Sequence, residues 1–323
     1  MKNETEILKG QVISGSHNII TVRVQTQDRG PEYLECRIKG KVLKGNQKFY
    51  NPLAPGDIVT AEREINSSFA MILNVEDRRN LFSRFNQKGG GNPQTGSQLL
   101  AANIDLALCV CTPVSPPFRP RFIDRVLVQA DHAGIEAAVI CNKIDLDEHD
   151  PDTDERLQDF KTIGYKVLRV CAKTGEGLEE LRREIEGKTS VLAGQSGTGK
   201  SSLINALNPD LDVREGGLNE KYDRGAHTTT MSFMFNISNT TRIIDTPGVR
   251  LFIPDGIKAD ELICHMREFA PLAGKCAYGM SCSHKTEPGC KIMEAVTAGA
   301  IHEDRYESFL RITDDLNGKE NGD

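Results

Sequence analysis

Over the first 62 residues the apolar positions come in short β-branched runs: Gln11–Ser14, Ile19–Val24 (IITVRV), Tyr33–Ile38 and Asp57–Glu62 (DIVTAE). Gly30-Pro31, Gly40, Gly45 and Pro55-Gly56 punctuate them. This spacing predicts a small closed β-barrel, and a five-stranded OB-fold suits a segment of this size. Beyond residue 99 the pattern changes. Apolar runs Ile104–Cys111, Glu136–Cys141, Lys166–Val170 and Thr189–Ala193 alternate with helically spaced segments Phe122–Ala133, Thr153–Ile163 and Leu178–Ile185. Such alternation predicts a parallel sheet covered by helices on both faces, with ligands at the carboxyl ends of the strands. Between the two patterns, residues 83–98 are polar and carry glycines 89, 90, 91 and 96, so they are expected to form a linker. Asp260–Phe269 reads as helical. The expected organisation is a barrel over 1–82, a linker over 83–98, an α/β domain over 99–255 and a helical domain over 256–323.

Composition adds less than charge distribution. The chain has 323 residues, 38% hydrophobic and 27% charged, values of an ordinary globular protein. Met1–Gly10 lacks a basic segment followed by an apolar one, and no stretch approaches about 18 uncharged apolar residues, so a cytoplasmic protein without membrane spans is expected. The net charge of −6 argues against nucleic acid only until it is divided along the chain. Residues 1–91 carry 14 Lys and Arg against 10 Asp and Glu; residues 92–255 carry 18 against 24, and residues 256–323 carry 8 against 12. The barrel is therefore the basic part. Arg37, Lys39, Lys41, Lys44 and Lys48 lie near Phe49 and Tyr50, a mixture that suits RNA binding or, alternatively, a solvated barrel face.

Directly after the Thr189–Ala193 strand comes Gly194-Gln195-Ser196-Gly197-Thr198-Gly199-Lys200-Ser201, a full match to the phosphate-binding loop, followed by the helix start Ser202-Leu203-Ile204. Glycines let the backbone N–H groups face phosphate oxygens, Lys200 neutralises the β- and γ-phosphates, and Ser201 ligates Mg²⁺. Asn142-Lys143-Ile144-Asp145 follows another strand. There the Asp145 carboxylate can accept two hydrogen bonds from guanine and none of that kind from adenine, Lys143 packs along the base and Asn142 ties the loop to its neighbours. Cys171-Ala172-Lys173 supplies a second wall of that pocket. In Ile243-Ile244-Asp245-Thr246-Pro247-Gly248, Asp245 would hold a Mg²⁺-bound water and the Gly248 N–H would meet the γ-phosphate. Gly225-Ala226-His227-Thr228-Thr229-Thr230 reads as a first switch in which Thr229 ligates Mg²⁺, or else as a plain strand entry.

Nine cysteines are too few and too odd in number for a disulfide framework. Cys276, Cys282, His284 and Cys290 lie within 15 residues, and three thiolates with one imidazole point to a closed structural Zn²⁺ site. Four reduced side chains without metal are the alternative, and Cys264 and His265 are possible substitutes that read better as helix residues.

These are five GTPase elements in an unusual order, because the base-reading loop precedes the phosphate loop. With a barrel before and a cysteine cluster after, the chain resembles the circularly permuted GTPases, specifically the ribosome small subunit-dependent GTPase A (RsgA) family, over essentially its whole length. The resemblance implies three domains: an OB-fold β-barrel, a circularly permuted P-loop GTPase domain and a helical zinc-binding domain. It further implies a monomer that binds the small ribosomal subunit and its rRNA, acts late in subunit maturation, and leaves on hydrolysing GTP to GDP. Ala226 stands where the family usually has Arg, Cys171 where it usually has Ser, and five residues rather than four separate the first two cysteine ligands. Val249 cannot orient water as the Gln of Ras-like enzymes does. The resemblance therefore implies that His227 or a ribosomal group does so, His227 being alternatively a structural switch residue. The short span from Gly248 to the cysteine cluster suggests that nucleotide state could reorient the C-terminal domain. A regulatory GTP switch with a protein partner and an RNA-binding protein with a vestigial nucleotide site are the competing readings.

Overall fold

A computed structural model describes residues 4–15, 19–39, 49, 51–65, 67–85, 96–213, 231–248 and 250–320, apart from 27–29. Five strands form the N-terminal barrel: β1 (Thr5–Gly15), β2 (Ile20–Thr26), β3 (Gly30–Ile38), β4 (Ile58–Glu64) and β5 (Phe69–Val75). They run β1-β2-β3-β5-β4, and β4 closes the ring by pairing antiparallel with β1 from Thr5↔Glu64 to Gln11↔Ile58. Alternation makes this possible, since every second residue points inward. Val12, Val22, Val24, Leu34, Val59 and Ile72 fill the interior.

The linker expected over 83–98 is in part strand. β6 (Leu81–Phe85) and β7 (Ser97–Ala102) pair antiparallel, placing residues 83–85 and 97–98 in a small second sheet. Phe82 and Leu99 are buried there, and the intervening residues 86–95 lie outside the described part. This sheet is fastened on both sides. Asn51 Nδ2 donates to the Leu99 carbonyl (2.7 Å), and the Phe85 N–H donates to the Ile253 carbonyl (2.9 Å).

The α/β domain then alternates as expected: β8 (Leu106–Cys111), α1 (Pro120–His132), β9 (Glu136–Cys141), α2 (Pro151–Thr162), β10 (Lys166–Arg169), α3 (Leu178–Ile185), β11 (Thr189–Gly194), α4 (Lys200–Leu207), β12 (Phe233–Asn236) and β13 (Arg242–Asp245). Its strand order is β10-β9-β8-β11-β13-β12, all neighbours parallel except β12 against β13. β8 and β11 are buried at every position, as strands covered on both faces must be. The barrel joins this sheet edge to edge, through Ser14 of β1 opposite Phe233 of β12.

The C-terminal part contains α5 (Lys291–Thr297) and α6 (Glu303–Glu320). The helix expected over Asp260–Phe269 is only a 3₁₀ turn, Leu262–His265, because Met266 turns extended (φ −116°, ψ 115°). The apolar spacing was real: Leu262, Met266 and Phe269 are all fully buried, but against α6 and their neighbours rather than along one continuous helix. This part is clamped to α1. Arg305 of α6 donates to Asp124 of α1 (2.7 Å) and, through two nitrogens, to Glu268 (2.6 and 2.9 Å), with Arg305 and Asp124 both out of solvent. Ser308 also donates to Asp124, and Arg125 pairs with Asp315.

Candidate nucleotide and metal sites

The phosphate loop leaves β11 at Gly194 and enters α4 at Lys200, so the free N–H groups of the helix start face the space above the sheet. Gly199 caps the helix in the left-handed region (φ 84°), and a Cβ there would lie 2.5 Å from Asn142 Nδ2. Glycine is required on both counts. Lys200 is largely buried and, among the described residues, its Nζ donates to the Gly194 and Gln195 carbonyls, both at 3.3 Å. Burial pulls its pKa down, while the facing Asp245 carboxylate opposes that fall.

Asp245 ends β13 beside the loop. Burial raises its pKa to about 6, against the pull of Lys200, and its Oδ1 is buried without a hydrogen-bond partner among the described residues. An ammonium with two long backbone contacts and a carboxylate with an orphaned oxygen are what a phosphate and a hydrated cation would complete. The donor set therefore fits Mg²⁺ with a nucleotide. Gly248 lies directly against the loop: a Cβ there would come within 2.8 Å of both Ser196 N and Cα, and 3.2 Å from Lys200 Nζ.

The base-reading loop is woven into the same place. Asn142 Nδ2 donates to the Thr198 carbonyl (2.9 Å), and its Oδ1 accepts from the Ala172 N–H (3.1 Å). Lys143 adopts φ 63° and its Nζ donates to the Gly197 (2.7 Å) and Ser115 (2.9 Å) carbonyls. The Cys171 thiol donates to Asp145 Oδ1 (3.2 Å), and Lys173 Nζ stands 3.9 Å from Asp145 Oδ2. A thiol thus stands beside the carboxylate, on the wall expected from Cys171-Ala172-Lys173. Ile144 opens the short 3₁₀ turn that carries Asp145.

Sequence reasoning missed the loop after β8. Thr112 Oγ1 donates to the Pro116 carbonyl (2.5 Å), which turns the Ser115 carbonyl toward Lys143 and brings Pro116 alongside Gly197. The prolines at 116 and 117 were the signal available. The switch residues Ala226, His227 and Thr229, and also Val249, lie outside the described residues, as do Lys41, Lys44, Lys48 and Tyr50 of the barrel.

In the C-terminal part Cys276, Cys282, His284 and Cys290 are all buried and present ligand atoms within 4.8 Å of one another. Cys276 Sγ lies 3.6 Å from His284 Nδ1 and 4.0 Å from Cys290 Sγ, and Nδ1 lies 3.4 Å from Cys290 Sγ. Tetrahedral ligands at about 2.0–2.3 Å from zinc stand roughly 3.4–3.8 Å apart, so the cluster is compatible with that ion. Supporting contacts surround it: the Lys291 N–H points at Cys276 Sγ (3.3 Å), and Tyr306 donates to the His284 carbonyl (2.6 Å). The five residues between Cys276 and Cys282 include the 3₁₀ turn Gly279–Ser281. Cys264 is exposed and apart from the cluster, whereas His265 meets His132 of α1 at 3.2 Å.

A sequence model of the RsgA GTPase family matches residues 75–253. The small ribosomal subunit biogenesis GTPase RsgA of Flavobacterium psychrophilum is 36% identical over 285 residues, covering 87% of this chain and 86% of that protein. Its counterpart in Chlorobaculum parvum is 36% identical over 299 residues, 92% of this chain and 94% of the relative. Among solved structures, YjeQ from Thermotoga maritima aligns with a TM-score of 0.71 at 31% identity, covering 97% of this chain and 99% of that one. YloQ, described as a circularly permuted GTPase, aligns at 0.66 over 97% of this chain and 96% of its own; at 24% identity it speaks for the fold alone. Family match, full-length relatives and the permuted order of the loops agree: the chain belongs to the RsgA GTPase family.

Proposed function

We propose that this protein binds the small ribosomal subunit and its rRNA late in subunit maturation and hydrolyses GTP to GDP to time its release. GTP hydrolysis is the reaction of its family, and the curated relatives are named for small-subunit biogenesis. The observation that carries the reading is the convergence of Lys200, Asp245, Gly248 and the Asn142–Asp145 loop at the carboxyl edge of one sheet.

In this reading the N–H groups of Gly194–Ser202 and Lys200 hold the phosphates, and the Gly248 N–H contacts the terminal one. Asp145 reads guanine, with the Cys171 thiol holding its carboxylate in place and Ala172 and Lys173 closing the pocket. Ser201 and Thr229 would hold Mg²⁺, and Asp245 a water in its shell. When bound, Mg²⁺ neutralises charge on the β- and γ-phosphates. Without a glutamine after Gly248, water is positioned by His227 or by a ribosomal group, so hydrolysis is slow until the partner docks. Zn²⁺ held by Cys276, Cys282, His284 and Cys290 would fix the short turns that precede α5. The protein works as a monomer in the cytoplasm, where its partner is. Among the described residues no helix is long and apolar enough to cross a membrane.

Co-sedimentation with purified small subunits tests the partner. Retention with a non-hydrolysable GTP analogue and loss with GDP are expected; equal absence from the pellet in both states would remove the ribosomal reading.

A further inference from the structure

Two arginines at the seam between barrel and nucleotide sheet have no ion-pair partner among the described residues. The register runs Tyr33 opposite Arg23 and Arg23 opposite Gln11 across β3, β2 and β1, and Asn236 opposite Arg242 across β12 and β13. Because Val22 and Val24 point into the barrel, Arg23 between them points out of it. Arg242 shares its face of β13 with Ile244, which belongs to the core that also takes in Ile13 of β1 and Tyr33 of β3. Both guanidinium groups therefore lie over one continuous face where the two sheets meet.

Each is half-buried, and the Nε of each is sealed from solvent without a hydrogen-bond partner. Burial, and after it the charge of Arg23, lowers the pKa of Arg242. Other buried arginines of this chain are answered: Arg63 by Glu6 and Glu32, Arg78 by Asp57, and Arg305 by Asp124 and Glu268. Neither Arg23 nor Arg242 has an ion-pair partner among the described residues. Glu35, two residues beyond Tyr33 on β3, is exposed and pairs with neither. Two half-buried like charges on one face, each unpaired among the described residues, suit an anion between them.

We infer that Arg23 and Arg242 form a phosphate-binding site at this seam, filled by a phosphodiester of an RNA strand that crosses from the barrel onto the nucleotide domain. RNA is favoured over free phosphate because the same side of β3 carries Tyr33 and then Arg37, whose guanidinium lies 5.2 Å from the Phe69 ring centroid. Basic and aromatic side chains in a row suit a nucleic-acid strand. The RNA source rests on the functional reading above; the phosphate site does not.

The test uses the full chain saturated with Mg²⁺ and GDP, so that the phosphate loop is filled. Arg23→Gln, Arg242→Gln and the double variant are compared with the parent for binding of a 5′-hydroxyl RNA hairpin and for thermal stabilisation by inorganic phosphate. Without ligand the variants should melt at or above the parent's midpoint, since a repulsion is removed. The double variant should bind the RNA at least about tenfold more weakly, with the dependence of log K on log salt reduced by roughly one unit per arginine. Arg242→Lys, which keeps the charge, should recover part of that loss. Loss of the phosphate response with unchanged RNA binding would support the site and name free phosphate as its ligand. If the double variant keeps both the parent's salt dependence and its response to phosphate, the site does not exist.

Discussion

Asn142 bridges the loop that reads the base and the loop that holds phosphate: its side-chain amide donates to the Thr198 carbonyl while its carbonyl accepts from the Ala172 N–H. Three loops distant in the chain are fixed to one another by one amide. Replacing Asn142 with Ala strands the Ala172 N–H and the Thr198 carbonyl in a buried place, at about 1–3 kcal/mol. GTP affinity should fall about tenfold to a hundredfold, measured by calorimetry, with little change in the melting of the barrel.

Asp245 sets a pH dependence. Its folded pKa, about 6, stands above the unfolded value of 3.8 because burial disfavours the charged form. The folded nucleotide-free protein then binds more protons than the unfolded chain between those two values, so its stability falls as pH rises from about 4 to 6 and levels off above. Asp245→Asn should flatten that part of the profile in thermal melts and should also weaken Mg²⁺-dependent GTP binding. A profile unchanged by the substitution would mean the carboxylate is ionised throughout.

The Arg305–Asp124–Glu268 cluster couples α6 to α1 in a buried setting. Breaking such a cluster on one side leaves uncompensated charge and costs about 3–5 kcal/mol. Arg305→Met should therefore raise hydrogen exchange in α6 and expose it to proteolysis. The same cluster bears on the expected reorientation of the C-terminal part: it is held by the helix that follows the Thr112–Pro116 loop, which touches Lys143 and Gly197, and not only by the chain that follows Gly248.

Zinc measured by atomic spectroscopy should be near one per chain and be lost in Cys282→Ser. Chelation should then unfold the turns around α5 while leaving nucleotide binding in place, because the core that includes the cluster draws only Val128 from α1 and otherwise lies within the C-terminal part.

The loops proposed for the nucleotide could be picked out in the sequence because their signals are local. Gly194–Ser201 is contiguous, and β9 and α3 begin and end where their apolar patterns do. Pairing was harder to read. β7 begins inside a glycine-rich polar stretch whose partner strand lies across eleven residues, so the segment resembled a linker. The helical spacing of Leu262, Met266 and Phe269 was true of burial and false of backbone, because tertiary contacts took the place of a continuous helix. The Arg23 and Arg242 pair could not be found at all from spacing, since it arises where the edges of two domains meet.

The central claim is a GTPase whose chemistry waits for the small ribosomal subunit, and GTP turnover measured with and without purified small subunits tests it most directly. Slow hydrolysis by the protein alone, strong acceleration by small subunits, and loss of that acceleration in Lys200→Ala are expected. Identical turnover in the presence and absence of subunits would contradict it.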